Sequence, residues 1–208
     1  MVTKAFLDKP TLIVGAGNSA TGKTTHLLEL ARVLSDSFWI DKDTIEDTFL
    51  TKMDHTSDDI LRYTSNLGVL SRKRSHHLEH VELQSYLLML KEAKNNLVLG
   101  KHPILDGNYV RELQQDYFDK IIIPLFKDVN CNIKIIYFYA PEHIVKQRII
   151  DRAEARDNDK LASEESWNNF LKKEPLLIHN LEKLPHLLVD STKPIEENIK
   201  KIILFLKE

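Results

Sequence analysis

The chain has 208 residues, 42% apolar and 29% charged, the balance of a globular protein that buries one sizeable core and leaves little for a second full domain. Its formal charge of −2, with acidic and basic side chains interspersed, excludes the overall basic excess expected of a nucleic-acid binder. No apolar run approaches bilayer-spanning length, Met1-Val2-Thr3-Lys4 opens no long apolar signal core, and the lone Cys131 rules out an internal disulfide, so a reducing, cytoplasmic setting is expected.

Short apolar runs alternate with longer amphipathic segments, the pattern of an α/β fold around a mostly parallel sheet. A first strand is expected at Thr11–Val14, leading through Gly15-Ala16-Gly17 into a helix that opens near Lys23 and buries Leu27, Leu30, Ala31 and Leu34. A second strand, Ser37–Asp41, ends in carboxylates. Residues Thr44–Leu97 read as mainly helical, with a looser polar middle around Asp54–Asp59 and Leu67–Ser75, and Gly100 as the stop. A third strand, Pro103–Asp106, delivers Asp106-Gly107 at its end. Ile121–Phe126 reads as a helix that Pro124 kinks or breaks, with a short strand as the alternative. The fourth strand is Asn132–Ala140, after which Pro141 suits the first turn of a helix. Trp167, behind Ser163-Glu164-Glu165-Ser166, is expected to anchor a returning helix. His186–Asp190 is the fifth strand, and Pro194 opens a last helix through Leu206.

The decisive motif lies between the first strand and the first helix. Gly17-Asn18-Ser19-Ala20-Thr21-Gly22-Lys23-Thr24 satisfies G-x-x-x-x-G-K-[ST] without a mismatch. Glycines are needed there because main-chain amides must curl around an anion, and the following helix turns its positive dipole end toward it. Lys23 is suited to the β- and γ-phosphates and the Thr24 hydroxyl to Mg²⁺. These eight residues, with Thr25 beside them, are assigned to the nucleotide. A ligand-free glycine turn would look similar, but the apolar strand before and amphipathic helix after favour the phosphate cradle. The absence of an N-K-x-D sequence argues against a guanine-reading GTPase.

Carboxylates and arginines follow in a phosphotransferase order. Asp43, just past the second strand, is placed where a general base for an acceptor hydroxyl belongs; its competing role is to cap the helix that starts near Thr44. Asp41 is a secondary candidate for contact with the acceptor. Asp106 suits a Mg²⁺ ligand, directly or through water, against the plainer role of an Asp-Gly turn. Arg148, Arg152 and Arg156 recur at four-residue spacing and share one helical face as far as the helix persists. Arg148 is assigned to the nucleotide, and Arg152 and Arg156 to the charge that develops on the transferring group; a solvated arginine face with acidic neighbours is the alternative. Arg72, within the basic run Arg72-Lys73-Arg74, and Arg111 are candidates for an anionic acceptor, although such runs are usually solvated surface. His76 and His80, near Glu79, have no partner motif on a second helix, so a zinc site is not expected.

Together these pieces resemble the NMP-kinase-like branch of P-loop kinases, in particular the small bacterial AAA-type kinases grouped with zeta-toxin-like, chloramphenicol-phosphotransferase-like and polynucleotide-kinase-like enzymes. The resemblance rests on Gly17–Thr24, Trp39-Ile40-Asp41-Lys42-Asp43-Thr44-Ile45, Gly100–Tyr109, Arg148–Lys160 and Leu188-Val189-Asp190-Ser191-Thr192, in the family's order along one domain. It implies a three-layer fold with five parallel strands in the order 2-3-1-4-5 flanked by helices. It implies a base role for Asp43, a lid spanning 148–172 that carries Arg152 and Arg156, adenine near Ser191–Pro194, and an acceptor-binding region over 44–97. Polynucleotide-kinase-like members carry an arginine three residues after the base, where this chain has Glu46, so a nucleic-acid end is disfavoured.

The leading expectation is an ATP- and Mg²⁺-dependent kinase for a hydroxyl, with a small molecule as acceptor. A kinase for a nucleic-acid end or a protein is the first alternative. A nucleotide-dependent switch without turnover is the second.

Overall fold

The computed structural model describes residues 4–50, 81–154, 157–178, 181 and 184–208. The chain divides into two compact units, Met1–Ile40 with Ala93–Glu208, and Asp41–Glu92. Strands β1 (Thr11–Ala16), β2 (Ser37–Asp41), β3 (His102–Asp106), β4 (Asn132–Tyr139) and β5 (His186–Asp190) form one sheet in the order β2-β3-β1-β4-β5. The pairs β1–β3, β1–β4 and β4–β5 are parallel. This is the order that the family resemblance implies.

The sequence explains why β1 lies in the middle. All six residues of Thr11–Ala16 are buried, which suits a strand covered on both faces. On one face Ile13, Ile104, Ile136, Phe138 and Val189 pack with Leu27, Leu30 and Leu34, from helix α1 (Lys23–Val33) and its cap. Ile199, Ile202 and Leu206 from a C-terminal helix, Ile195–Lys207, complete that cluster. Each fully buried aliphatic side chain of this set contributes about 1.5–3 kcal/mol. Their burial fixes α1 against the sheet, and with it the position of Gly22 to Thr25 beyond the end of β1.

The ladder sets the depth of the next carboxylate. Gly15 lies opposite Asp106 and Ala16 opposite Tyr137, so the end of β3 stands level with the start of the glycine loop. Helix α2 (Lys42–Leu50) follows β2 directly, and α3 (Leu83–Val98) precedes β3. Four-residue α4 (Val110–Leu113) comes after β3. A π-helical turn at Phe118–Ile122 then runs without a break into α5 (Ile123–Phe126), which contains Pro124. The helical reading of Ile121–Phe126 therefore stands, and the strand alternative falls.

Helix α6 (Glu142–Arg152) begins after Pro141 and stops at Ala153, whose φ of 50° is left-handed. Two further helices, α7 (Asn158–Leu161) and α8 (Glu164–Lys173), complete the segment, and the C-terminal helix Ile195–Lys207 is α9. Ser163 caps α8 by accepting from the Ser166 amide. Trp167 of α8 packs with Val145 and Ile149 of α6 and donates from Nε1 to Glu142 Oε1 at 2.7 Å, as expected of an anchor.

In the second unit, α2 opens at Lys42, two residues before its expected start. The cap is Asp41, whose carboxylate accepts from the Thr44 amide at 2.9 Å and the Thr44 hydroxyl at 2.6 Å. The capping role that the sequence offered for Asp43 therefore belongs to Asp41, and Asp43 lies inside the first turn. Lys42 pairs with buried Glu46 at 2.6 Å and lies 5.6 Å from the Tyr86 ring centroid. The polar middle expected at Asp54–Asp59 and Leu67–Ser75 lies outside the described residues. Among the described residues, no helix is long and apolar enough to cross a membrane.

Candidate active site

The loop between β1 and α1 has the conformation that its glycines were expected to serve. Gly17 has φ 139°, and a Cβ there would run into the Phe138 carbonyl oxygen. Gly22, at φ 79° and ψ 11°, is the left-handed residue from which α1 starts. Ala20 is also left-handed, at φ 60°, a strain of about 1–2 kcal/mol for a residue with a Cβ. The first-turn amides of an 11-residue helix have no carbonyl partner within it and point toward the loop's concavity.

Side chains brace this loop from below. Asn18 is buried, accepts from the Ser19 amide at 2.7 Å, and donates to the Glu174 carbonyl at 2.5 Å. Thr21 donates from its hydroxyl to the Asn18 carbonyl at 2.8 Å. Gly17 donates its amide to the Asn108 carbonyl at 2.9 Å, and Asn108 in turn donates to Glu174 Oε2 at 2.8 Å. The side chains of Asn18 and Thr21 thus hold the loop's shape, and the Thr21 amide adds a 3.4 Å bond to the Asn18 carbonyl.

At the mouth of the loop, Lys23 Nζ lies 2.5 Å from Asp106 Oδ1. The carboxylate is fully buried, and its second oxygen accepts from Trp39 Nε1 at 3.1 Å. Thr24 is exposed in the first turn of α1. A hydroxyl and a carboxylate are hard oxygen donors, and Mg²⁺ typically takes one or two such protein ligands and completes its shell with phosphate oxygens and water. The donor set fits that ion, and the two positive-φ glycines fit a polyphosphate.

The arginines separate into different roles. Arg148 donates to Ser191 Oγ at 3.0 Å, to the Ser191 carbonyl at 3.3 Å and to the Ala20 carbonyl at 3.3 Å. It ties the loop to the residue after β5 and is not a solvated helix-face charge. A cleft of about 340 Å³ opens there, lined by Ala20, Gly22, Thr25, His26, Arg148, Arg152, Ser191 and Ile195. Its walls include the stretch after β5 where the resemblance places adenine. Arg152 binds Asp157 instead, through Nε at 2.6 Å. Burial works to raise the pKa of Asp157, but Lys160 and then Arg152 outweigh it and hold the carboxyl below its ordinary value.

The sequence profile of the AAA domain family matches residues 12–176. The chain belongs to this family. Solved structures agree on the fold of this AAA domain: a candidate kinase from Chloroflexus aurantiacus J-10-fl aligns at TM-score 0.65 and 20% identity, covering 95% of this chain and 94% of that one. A gluconokinase from Sinorhizobium meliloti 1021 aligns at TM-score 0.55 and 13% identity over 95% and 91% of the two chains. A sugar kinase from Janibacter sp. HTCC2649 aligns at 0.54 and 13% over 95% and 94%. At these identities the likeness speaks for the fold alone. No curated protein sequence matches the chain.

Within this AAA domain, the structure brings Gly17 to Thr25, Asp106, Arg148 and Arg152 together in one unit. Arg111 is there too, with Nε 3.7 Å from Glu174 Oε1. Asp41 and Asp43 belong to the Asp41–Glu92 unit, where Asp43 Oδ1 stands 3.6 Å from Lys42 Nζ. Arg72, the rest of its basic run, His76, Glu79, His80 and Arg156 lie outside the described residues. Sequence reading missed Asn108 and Glu174 as braces of the loop. Asn108 had a signal, two residues past the strand-end carboxylate; Glu174 had only its place before Pro175. It also missed that Asn198 donates to buried His26 and to the Asp190 carbonyl at 3.1 and 2.9 Å.

Proposed function

We propose that this AAA domain is an ATP- and Mg²⁺-dependent phosphotransferase that phosphorylates a hydroxyl of a small-molecule acceptor. The observation that carries the reading is the meeting of Lys23 and Asp106 at 2.5 Å at the end of a loop turned by two positive-φ glycines. A P-loop used only to hold nucleotide does not require the added lining of Arg148 and Arg152, whose cations suit a centre where charge spreads over equatorial oxygens.

In this reading the amides of the Gly17–Thr24 loop hold the phosphate chain, and Lys23 bridges its outer two groups. Thr24 and Asp106 would hold Mg²⁺, which when bound neutralises the β- and γ-oxygens. Arg148 orients the nucleotide from Ser191, and Arg152, joined by Arg156, compensates charge on the transferring group. Asp43, two residues beyond β2, takes the acceptor proton. The hydroxyl oxygen bonds to the γ-phosphorus as the bond to the β–γ bridging oxygen breaks; ADP leaves, and the proton rests on the Asp43 carboxylate. Residues 44–97, with Arg72, Asp41 and Arg111, are assigned to the acceptor, and 148–172 to a lid that excludes water.

A small acceptor is favoured by three facts. Two of the similar folds are named as a sugar kinase and a gluconokinase. The net charge is −2. The position where polynucleotide-kinase-like relatives hold an arginine is Glu46, buried against Lys42. The lone, half-buried Cys131 fits a reducing cytoplasm.

The test is incubation with γ-labelled ATP, Mg²⁺ and fractionated cell metabolites, with label followed into product. Asp43→Asn should lower transfer roughly 10²–10⁴-fold while ATP affinity holds, and Lys23→Ala should weaken Mg²⁺-nucleotide binding itself. Transfer that survives Asp43→Asn removes the base assignment. Label that enters only oligonucleotides or protein replaces the acceptor class, and binding without turnover in whole extract makes the protein a switch.

A further inference from the structure

Beyond the arginine row lies a second cation aimed at the same loop. Asp157 is almost wholly buried and accepts from two cations at once: Arg152 through Nε at 2.6 Å, and Lys160 through Nζ at 2.8 Å. Two positive charges on one carboxylate leave a local excess of one. The Lys160 ammonium also reaches the Ser19 hydroxyl at 3.1 Å, while its stem lies against Phe170, with Nζ 4.9 Å from the ring centroid. An ammonium has three donors; Asp157 and Ser19 hold two of them and fix where the charge sits.

The loop has two ends, and the neighbours of each are different. Gly22 stands beside Ser191 and Arg148, on the side of the cleft after β5. Gly17 stands beside Asn108, just past the carboxylate Asp106 that closes β3. With the base at the Ser191–Pro194 stretch, as the resemblance implies, the phosphate chain runs from the Gly22 end of the loop toward Ser19. Lys160 enters at Ser19. Its charge is placed for the phosphate that ATP has and ADP lacks.

We propose that Lys160 is a further catalytic residue, a lysine that contacts the γ-phosphoryl group, with Asp157 as the positioning residue that holds it over Ser19. This rests on the phosphotransferase reading. Lysine gives a point charge where the arginines give planar forks, so it can follow the group as charge moves onto it.

The experiment is a pair of titrations with Mg²⁺, one with ATP and one with ADP, on wild type, Lys160→Met, Lys160→Arg and Lys23→Ala, with thermal melts of each. Lys160→Met should weaken ATP about tenfold, the scale of one lost charge-assisted hydrogen bond, and leave ADP within about twofold. Lys160→Arg should recover most of the preference for ATP. Equal loss for both nucleotides, or a lowered melting temperature with an unchanged ATP-to-ADP ratio, would make Lys160 a structural partner of Asp157 and overturn the proposal. If Lys160→Met does not fold, the same ratio is read on Lys160→Gln. Wild type without nucleotide affinity, or Lys23→Ala without effect, overturns the phosphotransferase reading and this one with it. A silent Lys160→Met beside a damaged Lys23→Ala overturns this one alone.

Discussion

Gly17 and Gly22 show how two glycines of one motif fail differently. At Gly17 an added Cβ meets the Phe138 carbonyl oxygen, which is main chain in the centre of the sheet and has nowhere to go. At Gly22 the Cβ would lie 3.2–3.4 Å from Ser191 Cβ and Oγ and Arg148 Nη1, contacts that a displacement of a few tenths of an ångström relieves. Gly17→Ala is therefore expected to destabilise the whole fold by about 2–3 kcal/mol, with a melting temperature lower by roughly 2–4 °C per kcal/mol, besides losing phosphate affinity. Gly22→Ala should melt closer to wild type, leaving mainly the left-handed strain of about 1–2 kcal/mol. Differential melts of the two variants check the order. That both positions need glycine was legible in the motif. That Phe138 forms the wall at Gly17 was not, because it depends on the register between β1 and β4. Lys23 and Asp106 were legible for a related reason: each ends or opens an element at a fixed point, whereas Glu174 acts through a carbonyl and a carboxylate that no local pattern marks.

At the scale of elements, three pieces meet at one buried polar contact. Nδ1 of His26 on α1 faces the Gly22 carbonyl at 2.8 Å and donates, which leaves Nε2 to accept from Asn198 of α9. Asn198 also donates to the carbonyl of Asp190, the last residue of β5. The contact thus links the start of α1, the end of β5 and the first turns of α9, the elements that frame the cleft. Asn198→Leu would leave buried His26 Nε2 without a donor and leave the Asp190 carbonyl with the Lys193 amide alone, a cost of about 1–3 kcal/mol. A thermal melt should show the loss, and ATP affinity should fall with it because the Ser191 stretch loses its fastening. A melt at the wild-type temperature would remove the account. The apolar stripe Ile195, Ile199, Ile202 and Leu206 made α9 readable, and a polar Asn198 on that stripe was the available sign of a partner. The partner itself was hidden, since His26 sits in a helix 172 residues away in sequence. Element ends moved for local reasons: α2 starts early because Asp41 reaches Thr44, and β1 runs on to Ala16 because β4 pairs that far.

Across the whole sheet, parallel strands divide the labour between two edges. The carboxyl ends of β1, β3 and β5 lead to the glycine loop, Asp106 and Ser191, while the amino ends carry no chemistry assigned here. At that second edge, His102 Nδ1 accepts from the Thr11 amide at 3.2 Å, joining the first residues of β3 and β1. The strand order was implied by the family, and this contact between strand starts was not, since a histidine at a strand end has no pattern of its own. Burial lowers the pKa of His102 below the ordinary 6.5; Asp36 opposes the shift and Lys101 adds to it. The folded state therefore binds fewer protons than the unfolded chain just below pH 6.5, so stability rises with pH through that window and is lost as pH falls below it. Protonated Nδ1 would also turn a donor toward the buried Thr11 N–H. His102→Asn places an amide oxygen near the same position and cannot titrate, so its melting temperature should fall less than that of wild type between pH 7 and pH 5. Because the contact lies at the opposite edge from the loop, Mg²⁺-ATP affinity at pH 7 should be unchanged by His102→Asn. A variant that keeps the full acid dependence would assign it to other groups, and one that loses ATP affinity would show that the two edges are coupled through the strands.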